Sequence, residues 1–130
     1  MVEKVISTAK PTILIVDDSP DILTLVCALL RGIYNVKIAN NGKTALKILE
    51  SGLRPDLILL DIMMPVMDGY ATLASLHQSE ATSSIPVIML TAEGYTMNKM
   101  LAFNMGASEY VTKPIDSQLL LSKIREVLSK

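Results

Sequence analysis

Several predicted strands of the sequence end in residues whose side chains could bind or transfer a phosphoryl group. These residues are Asp17, Asp18, Asp61, Thr91 and Lys113. Three carboxylates at one place repel one another, and a divalent cation removes the conflict. Hard oxygen ligands without neighbouring histidine or cysteine favour Mg²⁺, or Mn²⁺, over zinc. The threonine adds a hydroxyl and the lysine a compact positive charge that suits a phosphoryl oxygen, so together they could support phosphoryl transfer.

Each of these residues also has a simple structural interpretation. Asp17 and Asp18 could cap a helix, Thr91 could cap another, and Lys113 could be a solvated residue at a helix start. Their shared position at the carboxyl ends of predicted strands favours one common site. The sequence contains neither a Walker-type phosphate loop nor a Gly-x-Gly-x-x-Gly motif, so we expect no bound nucleotide to present the phosphate.

The elements that must position these residues alternate along the chain. Four consecutive aliphatics, residues 57–60, predict a strand buried on both faces, and Pro65 predicts a loop just after Asp61. Strands are predicted over 12–16, 35–39, 57–60, 86–91 and 108–114. Helices are predicted over 20–31, 44–51, 70–77, 95–103 and 116–128, with 40–42 as a turn.

This alternation predicts an α/β fold with right-handed crossovers around a parallel sheet. The carboxyl ends of parallel strands lie at one edge of a sheet, so the polar residues would meet there. Among the helical residues, Met100, Phe103 and Leu119 are predicted to face the core. His77 is predicted to face solvent, and Cys27 to be an unreactive, packed helix residue.

The composition indicates one globular domain. The chain has 130 residues, half of them hydrophobic, and a net charge of −1, which gives no reason to expect nucleic-acid binding. A single cysteine suits a reducing compartment, and no apolar run approaches the roughly 20 residues that span a bilayer. We therefore expect a cytoplasmic protein without membrane insertion, with residues 1–10 as a flexible leader and 11–130 as the domain.

Four segments of the sequence resemble the receiver domain of the two-component response-regulator family, in particular its single-domain, CheY-like members. They are IVDDS at 15–19, PDLILLDIMMPVMDG at 55–69, PVIMLTA at 86–92 and GASEYVTKP at 106–114. The resemblance extends from about residue 11 to the end of the chain. It implies a doubly wound, flavodoxin-like sheet of five parallel strands in the order 2-1-3-4-5, flanked by five helices.

The resemblance also implies roles for the site residues. Asp61 would be the phosphoacceptor, receiving its phosphoryl group from a phosphohistidine of a sensor histidine kinase or histidine phosphotransfer protein. Mg²⁺ would be held by Asp17 or Asp18, Asp61 and the Met63 carbonyl oxygen. Lys113 would bind the phosphoryl group.

Thr91 and Ala92 would also bind the phosphoryl group, and Thr91 with Tyr110 would form the switch. The Lys113–Pro114 peptide is expected to be cis. Met63 and Glu93, which occupy variable positions of the family, would tune the phosphorylated lifetime. The added negative charge would bias the face formed by the fourth helix, fifth strand and fifth helix toward a partner protein.

On this interpretation the domain catalyses only its own phosphorylation and dephosphorylation. The downstream target and a phosphorylation-dependent dimer stay open, as does excision from a larger regulator or hybrid kinase. A haloacid-dehalogenase-like phosphatase would also use a strand-end aspartate with Mg²⁺, but it needs an acid where this chain has Met63. A receiver that has lost its phosphate chemistry would lack one of the residues that this chain retains.

Overall fold

Strands and helices alternate strictly through the fold. The computed structural model describes residues 10–92 and 96–130, and the side chains of all of these except 96–99. The strands are β1 (Thr12–Val16), β2 (Asn35–Ala39), β3 (Leu57–Asp61), β4 (Val87–Ala92) and β5 (Glu109–Lys113). The helices are α1 (Pro20–Leu30), α2 (Gly42–Glu50), α3 (Gly69–Gln78), α4 (Thr96–Asn104) and α5 (Ser117–Leu128).

The five strands form one parallel sheet in the order β2-β1-β3-β4-β5, which confirms the predicted fold class. Every residue of β3 is buried, as its aliphatic run predicted. Alternate residues of the central strands enter two cores. Leu60 packs in the core beneath α2, α3 and α4, whereas Leu59 packs in the core beneath α1 and α5. No helix among the described residues is long and apolar enough to cross a membrane.

Asparagine and aspartate residues define where several helices begin. The Asn41 side chain accepts a hydrogen bond from the Thr44 N–H at 2.8 Å, and α2 starts at Gly42. The prediction of a turn over 40–42 was therefore wrong at its last residue, because Asn41 is an N-cap. Asp68 and Asp116 cap α3 and α5 in the same way.

Four side-chain orientations differ from the predictions. Met100, Phe103 and Leu119 are 59%, 40% and 43% exposed, although their apolar character predicted the core. Helix α4 contacts the core through Ala102, and α5 contacts it through Leu120, Ile124 and Val127. Successive residues of a helix are rotated by about 100°, so Met100, Phe103 and Leu119 point in other directions. His77 is half-buried because its imidazole lies against Gly106 rather than in open solvent.

Three predictions lie outside the described residues. They are the conformation of the leader over residues 1–9, the role of Glu93, and the start of the fourth helix at Tyr95.

The loop between β3 and α3 contains one strained residue. Val66 has φ 71°, in the left-handed region that a β-branched residue adopts only at a cost. The Met67 N–H donates to the Pro65 carbonyl oxygen at 2.7 Å, which closes a three-residue turn around Val66. The Val66 side chain is 80% exposed, so little packing depends on it.

We expect Val66→Gly to raise the free energy of unfolding by about 1 kcal/mol, because the strain relieved is larger than the entropic cost of glycine. Thermal denaturation followed by circular dichroism should show a melting temperature roughly 3 °C higher. Val66→Ala is the matched control, since it shortens the side chain but retains Cβ. Equal shifts in the two variants would contradict the assignment of strain to φ.

Candidate functional site

The sheet topology brings the polar strand ends to one edge. Val16 pairs with Leu60 across the β1–β3 ladder, so Asp17 and Asp61 occupy neighbouring positions at the carboxyl ends of adjacent strands. Lys113 ends β5, two strands away from Asp61, and its long side chain spans β4 to reach the two carboxylates. The cleft at this edge is therefore assembled from residues far apart in the sequence.

Lys113 joins the two buried carboxylates of the cleft. Its Nζ lies 2.9 Å from Asp61 Oδ1 and 3.0 Å from Asp17 Oδ2. Asp17 is fully buried and Asp61 is only 3% exposed, so both would be poorly solvated without this partner. Charge-assisted hydrogen bonds of this kind hold the lysine and both aspartates in a fixed arrangement.

The local structure after β1 also orients Asp17. Its Oδ1 accepts a hydrogen bond from the Ser19 N–H at 2.9 Å, while its Oδ2 binds Lys113. Ser19 is in turn the N-cap of α1, accepting from the Ile22 N–H, and Pro20 is the first helical residue. The sequence Asp-Asp-Ser-Pro thus ends the strand, fixes the carboxylate and begins the helix within four residues.

The cleft changes the protonation equilibria of Asp61 and Lys113. Burial raises the pKa of Asp61 to about 6, and the charges of Asp17 and Asp18 add to this effect while Lys113 partly offsets it. Burial alone would lower the pKa of Lys113, but its hydrogen bonds to Asp61 and Asp17 outweigh burial, so that pKa is raised. Lys113 therefore stays charged at neutral pH, and Asp61 is an unusually basic carboxylate.

The acidic residues of the cleft fit a hard divalent cation. Asp17, Asp18 and Asp61 each offer a carboxylate oxygen, and these oxygens lie within 4.8 Å of one another. Asp18 is exposed at the mouth of the cleft, whereas the other two form its floor. One lysine cannot neutralise three carboxylates, and an all-oxygen donor set is the kind that Mg²⁺ or Mn²⁺ prefers.

The other predicted site residues that the structure describes lie in β4, in β5 and in the loops that follow β3 and β5. Thr91 is buried, and its hydroxyl lies 3.5 Å from the Ala92 carbonyl oxygen, at the outer limit of a hydrogen bond. Met63 lies in the loop after β3 with its side chain 71% exposed. The Lys113–Pro114 peptide is cis. Tyr110, in β5, makes an edge-on ring contact with Phe103, with 5.6 Å between centroids and 89° between planes.

One residue beside the cleft was given no role of its own from the sequence, although it ends the 55–69 segment that resembles the receiver family. Gly69 is the first residue of α3, and its N–H donates to the Ile62 carbonyl oxygen at 2.8 Å. The dipeptide Asp68-Gly69 indicates only a turn. A glycine immediately after an N-cap residue, a few positions beyond Asp61, could have suggested a close approach of the helix to the strand.

Comparison with known proteins agrees with this arrangement. A sequence model described as the response regulator receiver domain matches residues 13–125. The chain is 41% identical over 121 residues to the DNA-binding dual master transcriptional regulator RpaA of Synechocystis sp., covering 92% of this chain and 50% of RpaA.

Two solved structures share the whole architecture. The chemotaxis protein CheY4 of Vibrio cholerae has a TM-score of 0.85 at 31% identity, covering 92% of this chain and 99% of CheY4. The receiver domain of sensor histidine kinase PA1611 from Pseudomonas aeruginosa PAO1 also has a TM-score of 0.85, at 29% identity, covering 94% of this chain and all of that domain. Its structure has a magnesium ion coordinated in the active site cleft.

The strand order and the strand-end cleft define the class as a two-component receiver domain. The chain belongs to the response regulator receiver family. It spans half or less of the length of the first curated relatives that it matches. Those relatives therefore contain further sequence that has no counterpart in these 130 residues.

Proposed function

We propose that Asp61 accepts a phosphoryl group from a phosphohistidine, and that the receiver domain signals through this modification. The proposal rests on the burial of Asp61, its raised pKa and its bond to Lys113. Asp61 is a buried carboxylate with a pKa of about 6, held by Lys113 next to Asp17 at the open edge of the sheet. A more basic carboxylate that is still ionised at neutral pH is a better nucleophile.

In the transfer, a carboxylate oxygen of Asp61 bonds to phosphorus while the bond from phosphorus to the donor imidazole nitrogen breaks. The bonding electrons leave with the imidazole. Asp17, Asp18, Asp61 and the Met63 carbonyl oxygen would hold Mg²⁺, which supplies charge neutralisation and orientation for the phosphoryl oxygens. Lys113 can remain near its present position and exchange its bond to Asp61 for one to a phosphoryl oxygen.

The response to phosphate is assigned to Thr91, Ala92 and Tyr110. The weak 3.5 Å contact of the Thr91 hydroxyl costs little to break, so this hydroxyl can turn toward the phosphoryl group along with the Ala92 N–H. Tyr110 would then leave the edge of Phe103 and move inward. Exposed Met100, Leu101, Phe103 and Leu119 lie on α4 and α5, where this movement would change the surface offered to a partner.

The lifetime of the phosphorylated state is assigned to the side chain at position 63. The Met63 side chain is exposed, and its thioether is at most a weak hydrogen-bond acceptor that cannot firmly orient an attacking water. Glu93 was predicted to act with it and lies outside the described residues.

The proposed function is tested by incubating the protein with acetyl phosphate and Mg²⁺, and separately with a phosphorylated histidine phosphotransfer protein. We expect one phosphoryl group per chain, located on Asp61 by mass spectrometry after borohydride reduction. Asp61→Asn should prevent labelling, and chelation of Mg²⁺ should reduce it strongly. Labelling of Asp61→Asn at the normal rate would refute the assignment.

The same role for Asp61 leads to proposals for the bounds of the domain, its location and its partners. The domain is proposed to span 11–130, to work in the cytoplasm, and to pair with a sensor histidine kinase or histidine phosphotransfer protein. RpaA is named as DNA-binding, but this chain spans only half of it, and we propose no direct nucleic-acid contact by the receiver. A stand-alone regulator and one part of a larger regulator or hybrid kinase both fit this function. A steady-state phosphatase is disfavoured because position 63 lacks an acid.

A further inference from the structure

Helix α3 begins in direct contact with the strand end that carries Asp61. The Gly69 N–H donates to the Ile62 carbonyl oxygen at 2.8 Å, and Gly69 is buried. A Cβ at position 69 would overlap the Asp61 carbonyl oxygen and would lie 2.7 Å from Ile62 Cα. Both are main-chain atoms, so no rotation of a side chain can relieve the contact.

We propose that Gly69 is a positioning residue for Asp61: the absence of a side chain at Gly69 lets α3 start against the Asp61–Ile62 peptide and sets where the acceptor carboxylate lies. The proposal rests on the proposed phosphotransfer, because it concerns the geometry of that reaction. Gly69 touches neither the donor nor the phosphoryl group, and it acts only through the main chain of Asp61.

The Asp61 carboxylate has close charged neighbours, so a small displacement of it should slow the phosphotransfer. It lies 2.9 Å from Lys113 Nζ and within reach of Asp17 and Asp18 for a shared ion. A Cβ at position 69 must displace the Asp61–Ile62 peptide, and with it the carboxylate on one side and the Met63 carbonyl oxygen on the other. Misplacement by about 1 Å can slow a reaction by about 100-fold.

The chain provides a matched control at Gly42, which is also the first residue of a helix. A Cβ at Gly42 would overlap Thr72 Oγ1 and would lie 3.2 Å from the Met67 carbonyl oxygen. The overlapping atom belongs to a side chain of α3 and not to the strand end. Gly42→Ala should therefore destabilise the fold without moving Asp61, and adding Thr72→Ala should restore stability.

The experiment measures Mg²⁺ affinity by calorimetry and the rate of labelling by acetyl phosphate at saturating Mg²⁺, with circular dichroism as a check of folding. Gly69→Ala should bind Mg²⁺ roughly tenfold more weakly and be labelled about 100-fold more slowly. Gly42→Ala should match the unchanged protein within about twofold in both, although both variants lose stability. A loss of rate shared equally by the two variants would assign the effect to stability and overturn the proposal.

Normal Mg²⁺ affinity and labelling in folded Gly69→Ala would also overturn it. If Gly69→Ala does not fold, Asp68→Ala decides, because it removes the cap on the Ala71 N–H and loosens the start of α3 without adding atoms. Weaker Mg²⁺ binding in Asp68→Ala supports the proposal, and unchanged binding overturns it. If the unchanged protein is not labelled on Asp61, the proposed function fails, and the Mg²⁺ affinities alone then decide the role of Gly69.

Discussion

Replacing Lys113 with methionine should destabilise the metal-free protein by about 3 kcal/mol at neutral pH, because it leaves two buried carboxylates without their cation. Lys113 Nζ is within 3.0 Å of both Asp17 and Asp61, which are 0% and 3% exposed. Urea denaturation in the presence of a chelator measures the loss. Labelling by acetyl phosphate should fall as well, because no fixed positive charge then faces the phosphoryl oxygens.

Lys123→Met is the matched control for this variant. The side chains of Lys113 and Lys123 are equally exposed, at 25%, and Lys123 lies 3.1 Å from Glu109. That glutamate side chain is 22% exposed, so loss of the pair should cost no more than about 1 kcal/mol. Equal losses in the two variants would show that burial of Asp17 and Asp61 does not matter.

Lys113→Met should also bind Mg²⁺ more tightly than the unchanged protein. Lys113 is bonded to Asp17 Oδ2 and Asp61 Oδ1, so its removal leaves more negative charge in the acidic cluster for a cation to balance. Added Mg²⁺ should therefore raise the melting temperature of the variant by more than that of the unchanged protein. A smaller rise would indicate that the lysine helps to form the metal site.

The second large effect is expected for Asp61→Asn, which should make the metal-free protein more stable at neutral pH by about 2 kcal/mol. The pKa of Asp61 is about 6 in the folded protein, against 3.8 for an ordinary aspartate. Between these values the folded state binds more protons than the unfolded state. The free energy of unfolding therefore falls as the pH rises, by up to about 3 kcal/mol in total.

Asp61→Asn removes this titration, so its stability should change less between pH 4 and pH 7 than that of the unchanged protein. Asp18→Asn provides the comparison, because that carboxylate is exposed and little stability should depend on it. Added Mg²⁺ should stabilise the unchanged protein, which is expected to bind the ion, more than Asp61→Asn. The difference between their free energies of unfolding should therefore become smaller. A destabilised Asp61→Asn at pH 7 would mean that the bond to Lys113 outweighs the burial of Asp61.

The sequence was sufficient to predict the sheet and the floor of the cleft. Aliphatic runs that end in Asp17 and Asp61 predicted two of the strands, and a more polar segment that ends in Lys113 predicted the last one. Parallel strands place their carboxyl ends at one edge, so the three residues were expected to meet there. The strand order came from the family resemblance, since nothing in the runs themselves distinguishes one order from another. The bonds from Lys113 to both aspartates depend on the spacing of four adjacent strands, β1, β3, β4 and β5, and could not be predicted from local sequence patterns.

Side-chain orientation on short helices was less predictable. Helix α4 has nine residues, and its contact with the core through Ala102 leaves Met100 and Phe103 exposed. Hydrophobicity alone predicted the opposite, because it does not say which part of an apolar helix faces the sheet. The roles of Val66 and Gly69 were not predicted, for another reason. Val66 matters through its positive φ angle, and Gly69 matters through its close approach to the main chain of Asp61 and Ile62, neither of which a residue type reveals.

The bond between Lys113 and Asp17 joins positions 96 residues apart and has a consequence for biosynthesis. The chain emerges from the ribosome with β1 first, so Asp17 and Asp61 are made well before the lysine that neutralises them. Strands β1 and β3 are neighbours and can pair without β5. A nascent chain that stops short of Lys113 then holds two facing carboxylates with no fixed cation. The cation that balances these two carboxylates is thus added only when β5, the last strand, docks against the sheet.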